Sequence, residues 1–148
     1  MVRHPHRRAL RLIVLALLAP GVAAAAGYRV VGDAAPDALT SAPGDARRGW
    51  AAMVDADRGN CLLCHATPPA PVSAAGTLGP PLAGVGGRMS AGQLRLRIID
   101  GRKIDPARIM PPYYRAEGLT RVDPRWRGRT VLSAQEVEDM VAYLETLK

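Results

Sequence analysis

The chain has 148 residues, of which 48% are hydrophobic and only 4% aromatic, with no phenylalanine. This length fits one domain, and a domain so small buries only a modest fraction of its surface with its own side chains. Its 20 basic and 13 acidic residues give a formal net charge of +7. No apolar run reaches the ~20 residues that a membrane-spanning helix needs, which argues against a membrane-spanning protein.

Residues 1–26 have the layout of a secretory signal peptide. A cationic start precedes an apolar run over residues 12–19, a proline–glycine pair breaks that run, and small residues over 23–26 offer cleavage sites. We predict cleavage near Ala26 and export to the periplasm. Four of the 20 basic residues and none of the 13 acidic ones lie in this segment, so the mature chain keeps a net charge of +3. Nucleic acid is not an expected partner of an exported protein.

Residues 27–44 are rich in Ala, Pro, Gly and Asp and are predicted to form a flexible N-terminal arm. The folded domain is expected over residues 45–148. Asp45 is a good N-cap, so a first helix should follow it and run to about Arg58, with the next glycine as its stop. Gly49, Trp50, Met53 and Val54 would lie on one face of this helix.

Both cysteines lie in the segment Cys61-Leu62-Leu63-Cys64-His65. Two thiols about one helical turn apart can add to the two vinyl groups of a single haem, and the next residue then lies beneath the iron. This C-x-x-C-H pattern is typical of c-type haem attachment. We therefore predict one covalent haem c, held by Cys61 and Cys64, with His65 as an axial ligand of the iron.

A C-x-x-C pair has three other uses. A redox-active pair is expected in a βαβ setting, and this sequence has no strand-rich stretch. A zinc site needs a fourth ligand, yet His65 is the only histidine after residue 26. A structural disulfide suits an oxidising compartment but does not explain the adjacent histidine.

Two further helices are predicted from capping-box patterns. The first starts at Ser90 and ends at Gly101, with Leu94 and Ile98 pointing inward and with Arg95 and Arg97 pointing outward. The second starts at Ser133 and carries apolar residues at helical spacing, namely Val137, Met140, Val141, Leu144 and Leu147. With no period-2 strand pattern, the mature domain is predicted to be all-α, with three or four short helices.

The second iron ligand is predicted to be a methionine, because Met opposite His raises the reduction potential of a haem in an electron carrier. Met140 is interpreted as core, Met53 lies too close to the motif in sequence, and Met89 precedes a helix cap. Met110 precedes two prolines that stiffen an extended loop, as a distal ligand requires. The alternative for Met110 is a side chain that merely fills space beneath the loop.

The glycine- and proline-rich run over residues 79–88 is the other informative segment. A metal-bound histidine usually donates its second ring N–H to an acceptor that fixes its orientation. The carbonyl of Pro80 is the predicted acceptor, and Leu82 is predicted to pack on the haem ring. Taken alone, the run would read as a surface loop of turn residues.

Taken together, these features resemble the class I cytochromes c in their order: helix, C-x-x-C-H, G-P-x-L-x-G-V-x-G-R, methionine loop and C-terminal helix. More closely, the chain resembles the SoxX family, the monohaem subunit of the SoxAX thiosulfate-oxidising complex. The matching segments are residues 59–65, 79–88, 109–113 and 126–144. The methionine loop and the start of the last helix carry the resemblance to this subfamily.

The resemblance implies ligation of the iron by His65 and Met110 and a heterodimer with a SoxA-type cytochrome c that holds the catalytic haem. That complex, an L-cysteine S-thiosulfotransferase, joins thiosulfate oxidatively to a cysteine of a SoxYZ-type carrier protein. The SoxX subunit would be non-catalytic: it would accept electrons and pass them to a small soluble cytochrome.

A basic band surrounds the predicted methionine loop. Residues 88–129 contain 11 basic and 4 acidic side chains, and such a band can steer an acidic partner or simply be a solvated face. Two other functions stay open at this stage: a freestanding periplasmic electron carrier, and a peroxidase-like haem enzyme with an open sixth position.

Overall fold

The computed structural model describes residues 27–69 and 75–148, and within these ranges it is all-α. Its four α-helices are α1 (Ala46–Val54), α2 (Val85–Arg88), α3 (Ala91–Asp100) and α4 (Ala134–Thr146). Single 3₁₀ turns lie at Cys61–Leu63, Gly101–Lys103 and Pro124–Trp126. The described residues contain no strand beyond the isolated bridge between Val31 and Ala34, so the predicted fold class is confirmed. None of the described helices has the length and apolar character needed to cross a membrane.

Helix α1 begins as predicted, because the side chain of Asp45 accepts a 2.8 Å hydrogen bond from the backbone N–H of Arg48. It ends at Val54, four residues earlier than expected. Asp55 has extended backbone angles, and its carboxylate accepts the N–H of Asp57 at 2.8 Å, so the side chain offers an alternative to the next helical turn.

Helix α1 packs against α4 at a close crossing. A Cβ at Gly49 would overlap the carbonyl oxygen of Asp139, so only glycine lets the two backbones approach this closely. The capping box of α4 is present as predicted, with Ser133 and Glu136 satisfying each other's backbone N–H groups. The apolar side of α4 forms the centre of the core, together with residues of α1 and α3 and with Leu132 just before α4. The buried core residues include Met53, Leu94, Leu96, Ile99, Leu132, Val137, Met140 and Val141.

Helix α3 departs from the sequence prediction at Arg95, which was expected to point outward. Arg95 is 5% exposed, and its guanidinium forms a two-pronged ion pair with Glu138 of α4 at 2.7 and 2.8 Å. Leaving one member of such a buried pair without its partner costs about 3–5 kcal/mol. Arg97 is partly exposed and contacts Asp33.

The segment over residues 27–44, predicted as a flexible arm, lies against α3 and α4 in the structure. Ala35 is fully buried, and its N–H donates to the carbonyl of Gly92 at 2.9 Å. The carbonyl of Ala35 accepts from Arg95, and the N–H of Leu39 donates to Glu138. The segment has no helical or strand pattern, so its attachment depends on charged partners 60 and 99 residues away in the chain. The predicted signal peptide lies outside the described residues.

Candidate cofactor site

The cysteine motif forms a tight turn that follows α1 after a short connection over residues 55–60. Asn60 has left-handed backbone angles, and the 3₁₀ turn Cys61–Leu63 follows it. The N–H groups of Cys64 and His65 both donate to the carbonyl of Cys61, at 3.1 and 2.9 Å. This turn brings the two free thiols and the imidazole to the edge of one cavity.

That cavity has a volume of about 600 Å³ and is lined by all four helices and the loops between them. Its size is in the usual range of cofactor sites, which are mostly apolar with a few placed polar groups. The six residues predicted to bind or contact the haem all line it. They are Cys61, Cys64, His65, Pro80, Leu82 and Met110.

His65 is oriented from behind by the 79–82 loop. Its Nδ1 lies 2.7 Å from the carbonyl oxygen of Pro80, the acceptor that the sequence analysis proposed. A proton on Nδ1 donates to that carbonyl, so Nε2 carries the free lone pair that a metal ion requires. Gly79 lies against the ring: a Cβ there would overlap the imidazole, 2.6 Å from Nδ1.

Leu82 anchors the same loop. Its N–H donates to the carbonyl of Ala66 at 2.8 Å, and its half-buried side chain both lines the cavity and packs on the core. The N–H of Gly79 donates to the carbonyl of Cys64, also at 2.8 Å. The 79–82 loop is thus tied at both ends to the segment that carries the histidine.

All four methionines of the described ranges line the cavity. Met53 and Met140 are 2% and 1% exposed and belong to the apolar faces of α1 and α4, which agrees with their interpretation as core. Met89 is the C-cap of α2. Met110 is half-buried on a loop ahead of two prolines, and so differs from the other three, which lie in a helix or directly at its end.

The loop that carries Met110 is fastened to α3 just beyond the prolines. The N–H groups of Tyr113 and Tyr114 donate to the carbonyls of Ile98 and Ile99, each at 3.2 Å. The carbonyl of Tyr113 in turn accepts the N–H of Leu132 at 3.0 Å. These three bonds hold the loop between α3 and the start of α4.

The chemistry of the thiols argues against a redox-active pair. Burial, and secondarily the neighbouring Cys64, raise the pKa of the Cys61 thiol to about 12. Reactive C-x-x-C pairs have lowered thiol pKa values, whereas Cys61 stays protonated at neutral pH. The zinc alternative lacks support too, because the described residues contain no group of three His, Cys, Asp or Glu side chains placed to hold a metal.

Two cavity residues were missed in the sequence analysis. Tyr113 lies beside the cysteines, and burial, with smaller contributions from Cys61 and Cys64, raises the pKa of its hydroxyl. Arg108 also lines the cavity. Its only sequence signal was its position two residues before Met110, within a band that contains ten other basic residues.

Comparison with known proteins agrees with the fold. The family model of cytochrome c matches residues 46–148, and the chain belongs to this family. A solved structure, SoxXA from P. pantotrophus, matches with a TM-score of 0.74 and 34% sequence identity, over 82% of this chain and 94% of that chain. The chain is therefore a SoxX-type cytochrome. Comparison with curated proteins gave no match.

Membership in the cytochrome c family implies a covalently bound haem c, and the residues present fit that group. The cavity offers two free thiols, an imidazole held by a carbonyl, and a lining that is largely apolar. The lack of a Cβ at Gly79 leaves room for the imidazole ring.

Proposed function

We propose that this chain is a monohaem electron-transfer subunit in which Cys61 and Cys64 form thioether bonds to one haem c, and His65 and Met110 ligate its iron. When bound, the haem supplies a centre that takes up and releases one electron at a time. The similarity to SoxXA across 82% of the chain is the observation that carries this proposal. The hydrogen bond between His65 and Pro80 supports the ligand assignment on the histidine side.

The protein's own residues would do three things for electron transfer. Pro80 fixes the tautomer and plane of His65, so that Nε2 faces the cavity in both oxidation states. The thioether of Met110 favours the ferrous form and raises the reduction potential. Leu82 and the buried core residues exclude water from the cavity. Fewer water molecules then have to reorient at each electron transfer, so the reorganisation energy is lower.

The biological setting is proposed from the same similarity. We expect export to the periplasm after removal of residues 1–26 and a heterodimer with a SoxA-type cytochrome c. In that complex the partner would join thiosulfate to a cysteine of a SoxYZ-type carrier, and this chain would accept the electrons released. A small soluble cytochrome would then receive them.

The first experiment tests the cofactor alone. The chain, expressed with a cytochrome c maturation system, should carry one haem per polypeptide that survives denaturation. Quantifying the pyridine haemochrome against protein concentration measures this. The double variant Cys61→Ala/Cys64→Ala should retain no denaturant-resistant haem, and a wild-type chain without covalent haem would contradict the proposal.

The second experiment tests the complex. Co-expression with a SoxA-type cytochrome should give a 1:1 heterodimer in size-exclusion chromatography. Thiosulfate and a SoxYZ-type carrier should then reduce the haem of this chain, which its absorbance reports. A loaded chain that stays monomeric and is not reduced under these conditions would instead be a freestanding electron carrier.

A further inference from the structure

Arg108 contains an unsatisfied polar atom at the edge of the cavity. Among the described residues, its Nε is the only buried side-chain nitrogen or oxygen that has no hydrogen-bond partner. Burying an N–H of a charged guanidinium without a partner is costly, and most such groups in native proteins are satisfied. An unpaired donor of this kind indicates a ligand that belongs beside it.

The backbone places this side chain at the cavity. The N–H of Arg108 donates to the carbonyl of Asp105 at 3.1 Å, and its own carbonyl accepts from Nε of Arg102 at 3.4 Å. The side chain passes over Gly101, where a Cβ would lie 3.3 Å from Cδ of Arg108. The absence of a side chain at Gly101 therefore leaves the path along which Arg108 reaches the cavity.

The other two arginines that line the cavity already have partners. Arg97 forms a 3.2 Å ion pair with Asp33 and also donates to the carbonyl of Gln93. Arg88 donates to the carbonyl of Ala83 at 2.9 Å. Arg108 differs from both, because among the described residues it alone combines a place in the cavity lining with a buried side-chain N–H that has no partner.

We propose that Arg108 binds a propionate carboxylate of the haem, an inference that rests on the proposed function because it requires the haem to be present. A haem is a largely apolar disc with two carboxylates at one edge, and this cavity is largely apolar with few cations. A guanidinium N–H paired with a carboxylate forms a charge-assisted bond, among the stronger hydrogen bonds in proteins. The Nε–H is the donor that this carboxylate would satisfy.

The pairing has a consequence for electron transfer. The ferric haem carries one more positive charge than the ferrous haem, so a fixed cation near its edge destabilises the ferric form. Arg108 is therefore a positioning residue: it orients the haem by binding the propionate carboxylate, and it raises the reduction potential of the haem. Arg108 precedes Met110 by two residues. Its contact with the haem carboxylate would therefore couple the orientation of the haem to the position of the Met110 loop.

The test compares Arg108→Gln, Arg108→Lys and the control Lys103→Gln in the full-length, haem-loaded protein. Lys103 is an exposed cation of the same basic band and does not line the cavity. Potentiometric titration should show a lower midpoint potential for Arg108→Gln, a smaller shift for Arg108→Lys because it keeps the charge, and almost none for Lys103→Gln. Equal shifts for Arg108→Gln and Lys103→Gln would overturn the proposal.

A spectroscopic measurement keeps the test decisive if Arg108→Gln fails to fold. The propionate-bending bands in resonance Raman spectra respond to hydrogen bonds at the carboxylates. Wild type and Arg108→Lys should differ in these bands, because lysine has no donor at the position of Nε, and identical bands would overturn the proposal. A wild-type chain without covalent haem would reject the proposed function itself, whereas loaded variants with unchanged potential and bands reject only the role of Arg108.

Discussion

The two sides of the cavity are held in different ways. The His65 wall (residues 61–65 and 79–82) is fixed internally: His65, Gly79 and Leu82 each form hydrogen bonds within or beside it. The Met110 wall (residues 108–113) is fastened mainly at its ends, by Arg108 to Asp105 and by Tyr113 to Ile98. Residues 109–112 donate no backbone hydrogen bond to another residue that the structure describes, and two of them are prolines.

This difference indicates that the two walls contribute differently to the site. In the His65 wall, the orientation of the imidazole is fixed by its hydrogen bond to Pro80 and by contact with the loop behind it. The Met110 wall depends on the restricted backbone of its prolines and on its two anchors. We therefore expect substitutions in the His65 wall to reduce haem loading, and substitutions in the Met110 wall to change mainly the spectrum and reduction potential of the haem.

The largest effect is expected from Gly79→Ala. The new methyl group would overlap the ring of His65, and relieving such overpacking costs about 1–3 kcal/mol or more. The ring would have to leave the carbonyl of Pro80, so the yield of loaded, low-spin protein should fall sharply. The ratio of haem absorbance to protein concentration in purified samples measures this yield.

Gly87→Ala is the matched control for that substitution. A Cβ at Gly87 would meet no atom within 4 Å, and this residue lies in α2, where alanine is favoured over glycine by about 1 kcal/mol. This variant should load haem as the wild type does. Equal loading of the two glycine variants would show that contact with the loop does not set the position of the imidazole.

Met110→Ala should have a smaller effect on folding and a clear effect on the haem. The cysteines and His65 remain, so covalent attachment should persist, and the loss of stability should stay below about 2 kcal/mol because the side chain is only half-buried. Without the thioether, the spectrum should change from low-spin towards high-spin and the midpoint potential should fall. Visible absorption and potentiometry measure these changes.

Met89→Leu tests which of the two half-buried methionines of the cavity, Met89 or Met110, ligates the iron. Leucine preserves the apolar volume at position 89, so this variant should keep the wild-type spectrum if Met110 is the ligand. A normal spectrum for Met110→Ala combined with an altered one for Met89→Leu would reassign the ligand. A wild-type ferric protein that is already high-spin would favour the peroxidase-like alternative.

The sequence was most informative where the chemistry is local. The C-x-x-C-H spacing and the two capping boxes each depend on residues a few positions apart, and the structure has both capping boxes as expected. The carbonyl acceptor at Pro80 lies 15 residues from His65, and it was predictable because a metal-bound histidine needs such an acceptor. The end of α1 was misplaced because Gly59 gave a stronger stop signal than Asp55. The side chain of Asp55 nevertheless turns the chain first.

Features that depend on distant residues were missed. The apolar periodicity of α3 predicts that Arg95 points outward. This pattern carries no information about Glu138, which lies 43 residues later and supplies a buried partner. The arm over residues 27–44 lies against the domain for the same reason, since its contacts are to Arg95 and Glu138. Arg108 looked like any other member of a basic band, and only the unpaired atom in the folded cavity distinguishes it.

The smallest expected effect on the haem itself concerns residues outside the cavity, at the α1–α4 crossing that supports both walls. Asp139 of α4 is 3% exposed and accepts hydrogen bonds from Arg48, from Gln135 and from the N–H of Asp45. Burial raises the pKa of this carboxyl, but these hydrogen bonds outweigh it and hold the pKa below its ordinary value of 3.8. The folded state thus favours the charged carboxylate.

A lowered pKa in the folded state stabilises the protein at pH values above the ordinary pKa, and this contribution disappears as the pH falls through the folded value. Asp139→Asn should therefore lose about 1–3 kcal/mol of unfolding free energy at pH 7, and the difference from wild type should shrink below about pH 4. The control Asp57→Asn removes an exposed carboxylate with one 3.7 Å ion pair and should change stability by less than about 1 kcal/mol. Urea denaturation across this pH range measures the stability of both variants.

If the two walls share this support, the haem absorbance and the helical circular dichroism of Asp139→Asn will shift to the same lower urea midpoint. Separate midpoints would mean that the walls unfold independently.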